Sequence, residues 1–319
     1  MRFGRDILVI DCEKVGEEIL RFVQKVVSER LRKGVVIGLS GGIDSSVTAG
    51  LCVKALGKER VVGLILPEKE SSPMSLSYAQ LLATRLGIET ESVDISPVLE
   101  ELGVYDKRET VVKRIFPEFD SSHTFRLILP QDLLERERLN IFSLEIMDAE
   151  GRRKSKRLNS KDYLELMAAT DMKQRTRMTV LYYYAEKNNY VVMGTTNKSE
   201  VVQGFFVKYG DGGVDAEPIA HLYKTQVYQL AEWLNIPEEI IRRTPSPDTF
   251  SSEVSDKEFY FCIPYEELDL LLYAWENDIP RDEVKRELKL TDDQLSRVIS
   301  DIERKYRVTE HLRMLPPHL

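Results

Sequence analysis

The chain has 319 residues, 53 acidic against 45 basic side chains and a net charge of −8, which speaks against a general nucleic-acid or membrane-surface binder. That length supports one large or two modest domains around a real apolar core. No apolar run approaches the roughly 20 residues of a membrane span, no signal-peptide pattern opens the sequence, and three cysteines without a C-x-x-C pattern predict a reducing cytoplasm.

In chain order, Asp11 is placed to cap a helix whose apolar positions Val15, Ile19, Phe22, Val23, Val26 and Val27 share one face. Val35 to Leu39 then reads as a buried strand, Ser40-Gly41-Gly42 as a turn, and Ser45 to Leu56 as a helix. Strand, glycine turn and helix N-terminus make an anion site. Gly41 and Gly42 let backbone N–H groups face a phosphate, and Ser40, Ser45 and Ser46 add hydroxyl donors. The loop lacks both the Gly-Lys-Ser/Thr ending of a Walker A loop and the G-x-G-x-x-G dinucleotide fingerprint. Asp44 within it makes chemical sense if a divalent cation, Mg²⁺, lies between it and the phosphates. The plainer reading is a helix cap.

Val61 to Leu66 predicts a second strand, Ser75 to Leu86 a helix and Thr90 to Ile95 a third strand. This βαβ spacing gives an α/β fold with a doubly wound parallel sheet flanked by helices. Between Ser96 and Thr170 the signal weakens. Phe125–Leu129 and Asn140–Met147 read as short strands, and the basic run Gly151 to Arg157 as a solvated loop tip. Helical periodicity returns near Asp162 and runs to Ala185, placing Asp171, Arg175 and Met178 on one side. Tyr190 to Gly194 is a fourth buried strand, followed by Thr195 to Glu200. Glu200 is either a first-turn acid supporting a helix or a second metal carboxylate beside Asp44.

Lys208 to Asp215 packs three glycines among charges, suggesting close backbone approach to a ligand. Lys224, in the first turn of a helix from Tyr223 to Leu234, opposes the helix dipole and so predicts a phosphate partner. Thr244 to Glu258 reads as an exposed loop over the site. Helices close the chain, one beginning at Ile263-Pro264 and a long one opened by the capping box Thr291 to Gln294.

Ser40-Gly41-Gly42-Ile43-Asp44-Ser45 resembles the signature of N-type ATP pyrophosphatases. Lys173-x-Arg175, Gly194-Thr195, Asn197 to Glu200, Lys208 to Asp215, Leu222 to Gln226, Pro264 to Asp269 and Glu310-His311 with Arg313 extend the likeness to ammonia-dependent NAD synthetase. The resemblance implies a single domain over 1–319 of adenine nucleotide alpha hydrolase-like fold, with an insertion at about 105–160 and a helical C-terminal part at about 263–319. It implies that ATP, as co-substrate, adenylates the carboxylate of deamido-NAD, and that ammonia then displaces AMP. Gly38, Leu39, Ser40, Gly41, Gly42, Ile43, Asp44, Ser45, Thr195, Lys224 and Ser246 would bind ATP. Asp44 and Glu200 would hold Mg²⁺ and, with Lys224, serve catalysis. Asp171, Arg175, Lys208, Asp211, Asp215, His311 and Leu312 would face the acyl substrate.

Asp171 and Leu312 stand where the family has Asn and Lys, and 253–258 departs from its usual pattern. The same chemistry on another carboxylate is therefore the alternative, and a nucleotide-binding protein without catalysis a third. The resemblance also implies a homodimer. With no glutaminase segment recognised, ammonia comes from solution or a separate glutaminase.

Overall fold

The computed structural model describes residues 3–136 and 140–318. Cys12–Glu29 (α1) is capped by Asp11, whose carboxylate accepts the Lys14 N–H at 3.1 Å. Gly34–Gly38 (β1) leads into Ile43–Leu56 (α2), Val61–Ile65 (β2), Pro73–Leu86 (α3) and Glu89–Ser92 (β3). Two short helices follow, Ser96–Glu101 (α4) and Val104–Ile115 (α5). They lay in the stretch of weak signal, since each buries only a narrow stripe.

Thr124–Ile128 (β4), Ser143–Met147 (β5) and Arg153–Arg157 (β6) form a separate antiparallel sheet in the order β4-β5-β6. The basic run is thus a strand, correcting the loop-tip expectation. The turn before it is built by Asp148, whose carboxylate accepts the Glu150 and Arg152 N–H groups, with Gly151 at φ +79°. Arg153 to Arg157 pair with Met147 to Ser143, and all five are exposed. An edge strand wetted on both faces carries no apolar alternation to read.

Ser160–Asn188 (α6) leads into Tyr190–Val192 (β7), then Lys198–Gln203 (α7), Lys224–Trp233 (α8) and Glu238–Ile241 (α9). The parallel sheet has the order β3-β2-β1-β7. One face, with Val35, Ile37 and Val191, packs on α1, α2, α3 and α8; the other, with Val36, Leu64 and Val192, packs on α4 and α6. The direction of the strand order reverses between β1 and β7, and in open α/β sheets the crevice beyond the strand ends at such a point binds ligands.

Tyr265–Glu276 (α10), Arg281–Leu288 (α11), Asp292–Val308 (α12) and Glu310–Arg313 (α13) complete the chain, and α10, α11 and α12 share an apolar core. The Thr291/Gln294 capping box forms as expected. Among the described residues no helix is long and apolar enough to cross a membrane.

Candidate active site

A cavity of about 750 Å³ opens beyond the carboxyl ends of β1, β2 and β7. Its floor is the loop after β1. Gly41 has φ +73°, and a Cβ there would stand 2.3 Å from the Ser75 carbonyl oxygen, so the turn admits only glycine. Gly42 is the N-cap of α2; the Ser40 and Ser45 hydroxyls meet at 3.1 Å and line the cavity with Gly38, Leu39, Gly42, Ile43 and Asp44. Ser46 does not join them. Its hydroxyl is buried and donates to the Gly42 carbonyl at 2.7 Å, closing the helix turn instead.

Above the loop, Lys224 Nζ lies 2.5 Å from Asp44 Oδ2 and 3.5 Å from Glu200 Oε1. Lys224 is buried. Burial works against its charge, but Asp44, Glu200 and Asp256 outweigh that and hold its pKa well above the ordinary lysine value. Glu200 takes the first of the roles foreseen for it, the first-turn acid of a helix, and also stands beside Lys224. Its Oε2 accepts the Asn197 N–H at 3.2 Å, completing a capping box on α7, while Oε1 faces Lys224. Asn197 also donates to Asp44 Oδ1 at 2.9 Å, joining the two strand ends. Burial, then the Asp44 charge, raises the Glu200 pKa well above the ordinary value.

Asp256 is a third carboxylate here, not singled out from the sequence. Tyr265 donates to its Oδ2 at 2.9 Å, its Oδ1 is buried with no hydrogen-bond partner among the described residues, and burial pushes its pKa up to about 6. Three carboxylates around one ammonium leave an excess of negative charge in a buried space, which suits a divalent cation. Among the described residues no three His, Cys, Asp or Glu side chains converge closely enough to hold a metal by themselves. A Mg²⁺ ion habitually takes one or two carboxylates plus phosphate oxygens and water, and Asp44 and Glu200 fit that donor set. Asp269 supports the cluster from α10. It accepts the Ser199 hydroxyl at 2.6 Å and the Thr225 N–H at 2.8 Å, fixing the starts of α7 and α8.

Thr195 and Ser246 line the cavity, as do Asp171, Arg175, Lys208, Asp211 and Leu312. Burial pushes Asp171 up to about 6, with Arg175 only partly offsetting it, and Asp211 likewise reaches about 6. Lys208 is engaged with the chain end, donating to the His311 and Met314 carbonyls at 2.7 and 3.0 Å.

Three expected residues do not line the cavity: Gly41, which shapes the turn instead, Asp215 and His311. Asp215 lies along the outer edge of β7, where it accepts the Val192 N–H at 2.9 Å and pairs with Arg30 at 3.2 Å. His311 is exposed on α13. The expectation of an exposed loop over 244–258 is also corrected: Thr249, Phe250, Ser252, Val254 and Asp256 are buried. Its phenylalanine and valine sit inside a polar run, and the core they join lies far away in sequence.

The sequence pattern of one family, NAD synthase, matches residues 15–115 and 130–316. An NH(3)-dependent NAD(+) synthetase of Mesorhizobium japonicum is 44% identical over 311 residues, covering 97% of each chain. Among solved structures, the NH3-dependent NAD synthetase of Campylobacter jejuni superposes with a TM-score of 0.65 at 25% identity, covering 98% of this chain and 100% of that one. An NMN synthetase from Francisella tularensis gives 0.66 at 23% identity, covering 98% and 99%, a likeness of fold alone.

Proposed function

The chain belongs to the NAD synthase family, and from that premise we propose that it is an ammonia-dependent NAD synthetase, a ligase that forms a C–N bond at the expense of ATP. A carboxylate oxygen of deamido-NAD attacks the α-phosphorus of ATP. The bond to the β-phosphate oxygen breaks, and pyrophosphate leaves. Ammonia then adds to the acyl carbon of the adenylate, loses a proton, and AMP departs with both electrons of the C–O bond. The observation that carries this reading is Lys224 set between Asp44 and Glu200 beside a glycine-turned anion loop.

The backbone and hydroxyls of Ser40 to Ser45 would hold phosphates, and Thr195 and Ser246 border the same space. Lys224 supplies positive charge where charge builds on the leaving group, and the cavity walls hold the two reactants together. Mg²⁺, held by Asp44 and Glu200, would neutralise phosphate charge. Asp171, Arg175, Lys208, Asp211 and Leu312 would meet the acyl substrate. Homodimeric assembly, a cytoplasmic location and ammonia drawn from solution or a separate glutaminase belong to the same proposal.

One observation favours a second reading, the same reaction on another carboxylate. Asp171 adds an acid to the acyl side of the cavity, while apolar Leu312 stands where the resembled family has a cation. The test is product analysis of purified protein with ATP, Mg²⁺ and ammonia. Deamido-NAD should yield NAD, AMP and pyrophosphate in equal amounts. No NAD from deamido-NAD, with AMP release driven by a different carboxylic acid, would establish the second reading.

A further inference from the structure

The three-stranded sheet has no role in the chemistry described so far, yet its free edge is occupied. Antiparallel pairing leaves the outer N–H and C=O groups of β4 without a strand partner, and such an edge needs cover. The cover is the segment that also walls the cavity. Phe125 N–H donates to Ser251 Oγ at 2.9 Å, Ser252 N–H to the Phe125 carbonyl at 3.1 Å and Leu129 N–H to the Glu258 carbonyl at 2.9 Å.

Two buried arginines add to this seam. Arg126, on β4, pairs with Glu145 at 2.8 Å and donates to the Glu253 carbonyl at 2.8 Å, with Glu258 at 3.3 Å. Arg108, on α5, lies with its guanidinium 4.8 Å from the Phe125 ring centre and 5.5 Å from that of Phe250. It pairs with Glu70 and donates to the Thr249 carbonyl at 2.9 Å. Lys173 donates to the same carbonyl at 3.0 Å. On the cavity side, Asp248 accepts the Ser72 N–H at 3.1 Å and the Ser75 hydroxyl at 2.6 Å, and Asp256 N–H donates to the Pro245 carbonyl at 3.0 Å. The segment is therefore fastened along its length by groups of the chain itself. Ser246, Asp248, Thr249 and Asp256 all line the cavity. β4 falls within 116–129, the stretch that the NAD synthase pattern passes over.

We propose that the antiparallel sheet is a fixed brace that holds the 244–258 segment over the cavity before substrates arrive, with Arg108 and Arg126 as positioning residues. They act through the segment, not on the reacting atoms. The order of the segment stands independently of the proposed function; its benefit to ATP use rests on that reading. A preformed wall removes the cost of ordering a loop at each binding event, so its loss should appear in KM more than in kcat.

The test is amide hydrogen exchange on the full chain without ligands, for wild type, Arg126→Met and Ser251→Ala. Wild-type amides over 249–256 should be protected like those of β4. Both variants should exchange about tenfold faster there, with β1 and β2 unchanged, because one or two hydrogen bonds of the seam are gone. KM for ATP should rise several-fold while kcat changes less. Ser251→Ala removes a hydroxyl from the segment alone, so it stands even where Arg126→Met unfolds the sheet. A wild-type segment that exchanges freely until ATP is added would overturn the proposal, as would wild-type exchange in both variants. If the segment is protected but NAD is not made, the brace holds and the functional reading alone fails.

Discussion

Asp44 and Lys224 are 180 positions apart in sequence and 2.5 Å apart in the fold. Asp44 lies in the first turn of α2, which follows β1, and Lys224 opens α8. The contact exists because α8 packs against α2 and the Lys224 N–H donates to Ser199 Oγ at the start of α7, which follows β7, the neighbour of β1. A lysine this deeply buried costs several kcal/mol unless paired, so the ion pair both holds the two helix starts together and stores a cation where phosphates would bind.

Asp44→Asn keeps the shape of the side chain and removes its charge. Glu200 and Asp256 still face Lys224, so the fold should survive with an unchanged circular dichroism spectrum. AMP formation should fall by at least about 100-fold. Turnover like wild type at ordinary Mg²⁺ concentrations would remove Asp44 from the chemistry.

Gly41→Ala tests the floor of the cavity. With φ at +73° and the Ser75 carbonyl 2.3 Å from the new Cβ, the turn must shift. The expected result is a stability loss of about 1–3 kcal/mol by urea denaturation, together with an ATP KM at least tenfold higher. An unaltered ATP KM would mean that this turn does not bind phosphate.

Asp171→Asn has a pH signature. The folded-state pKa of Asp171 is raised from 3.8 to about 6, so the folded state holds the proton more tightly than the unfolded one. That contribution is fully present below the unfolded value and is lost as pH rises through about 6. Asparagine escapes the loss. The variant should therefore be more stable than wild type by up to about 3 kcal/mol at pH 8, at about 1.4 kcal/mol per pKa unit, and the gain should shrink towards zero below pH 4. Denaturation midpoints showing the same difference at pH 4 and pH 8 would contradict this.

Adding Leu312→Lys to Asp171→Asn should raise kcat/KM for deamido-NAD at least tenfold and leave the ATP KM alone. Both positions line the cavity, and a single charge at about 4 Å is worth about 4 kcal/mol at an effective dielectric near 20. If the double variant gains nothing, the acyl substrate lies elsewhere in the cavity.

Assembly is tested by sedimentation. Leu164 and Tyr183 on α6 are 64% and 61% exposed, an apolar presentation that a second copy would cover. The expected species has twice the 36.8 kDa mass of one chain. A single-chain species that persists as concentration rises would rule the dimer out.

The sequence alone determined the parts governed by neighbours in the chain. Val35 to Ile37 could only be a buried strand, Gly41 had to turn it, and α2 had to start behind it, because apolar runs, left-handed turns and helix caps are local requirements. The same holds for Asp11, for Glu200 as a first-turn acid and for the Thr291 capping box. Tertiary structure decided the rest. Arg153 to Arg157 became a strand because β5 offered an edge, not because of any pattern of their own. Asp256 joined Asp44 and Glu200 because Phe250, Val254 and Phe259 sank into the core of the second sheet and carried the segment inward. Asp215, placed among substrate residues by the family resemblance, was taken instead by Arg30 and the Val192 N–H. A carboxylate's role follows from the charges and donors around it, and those come from positions that no local pattern connects.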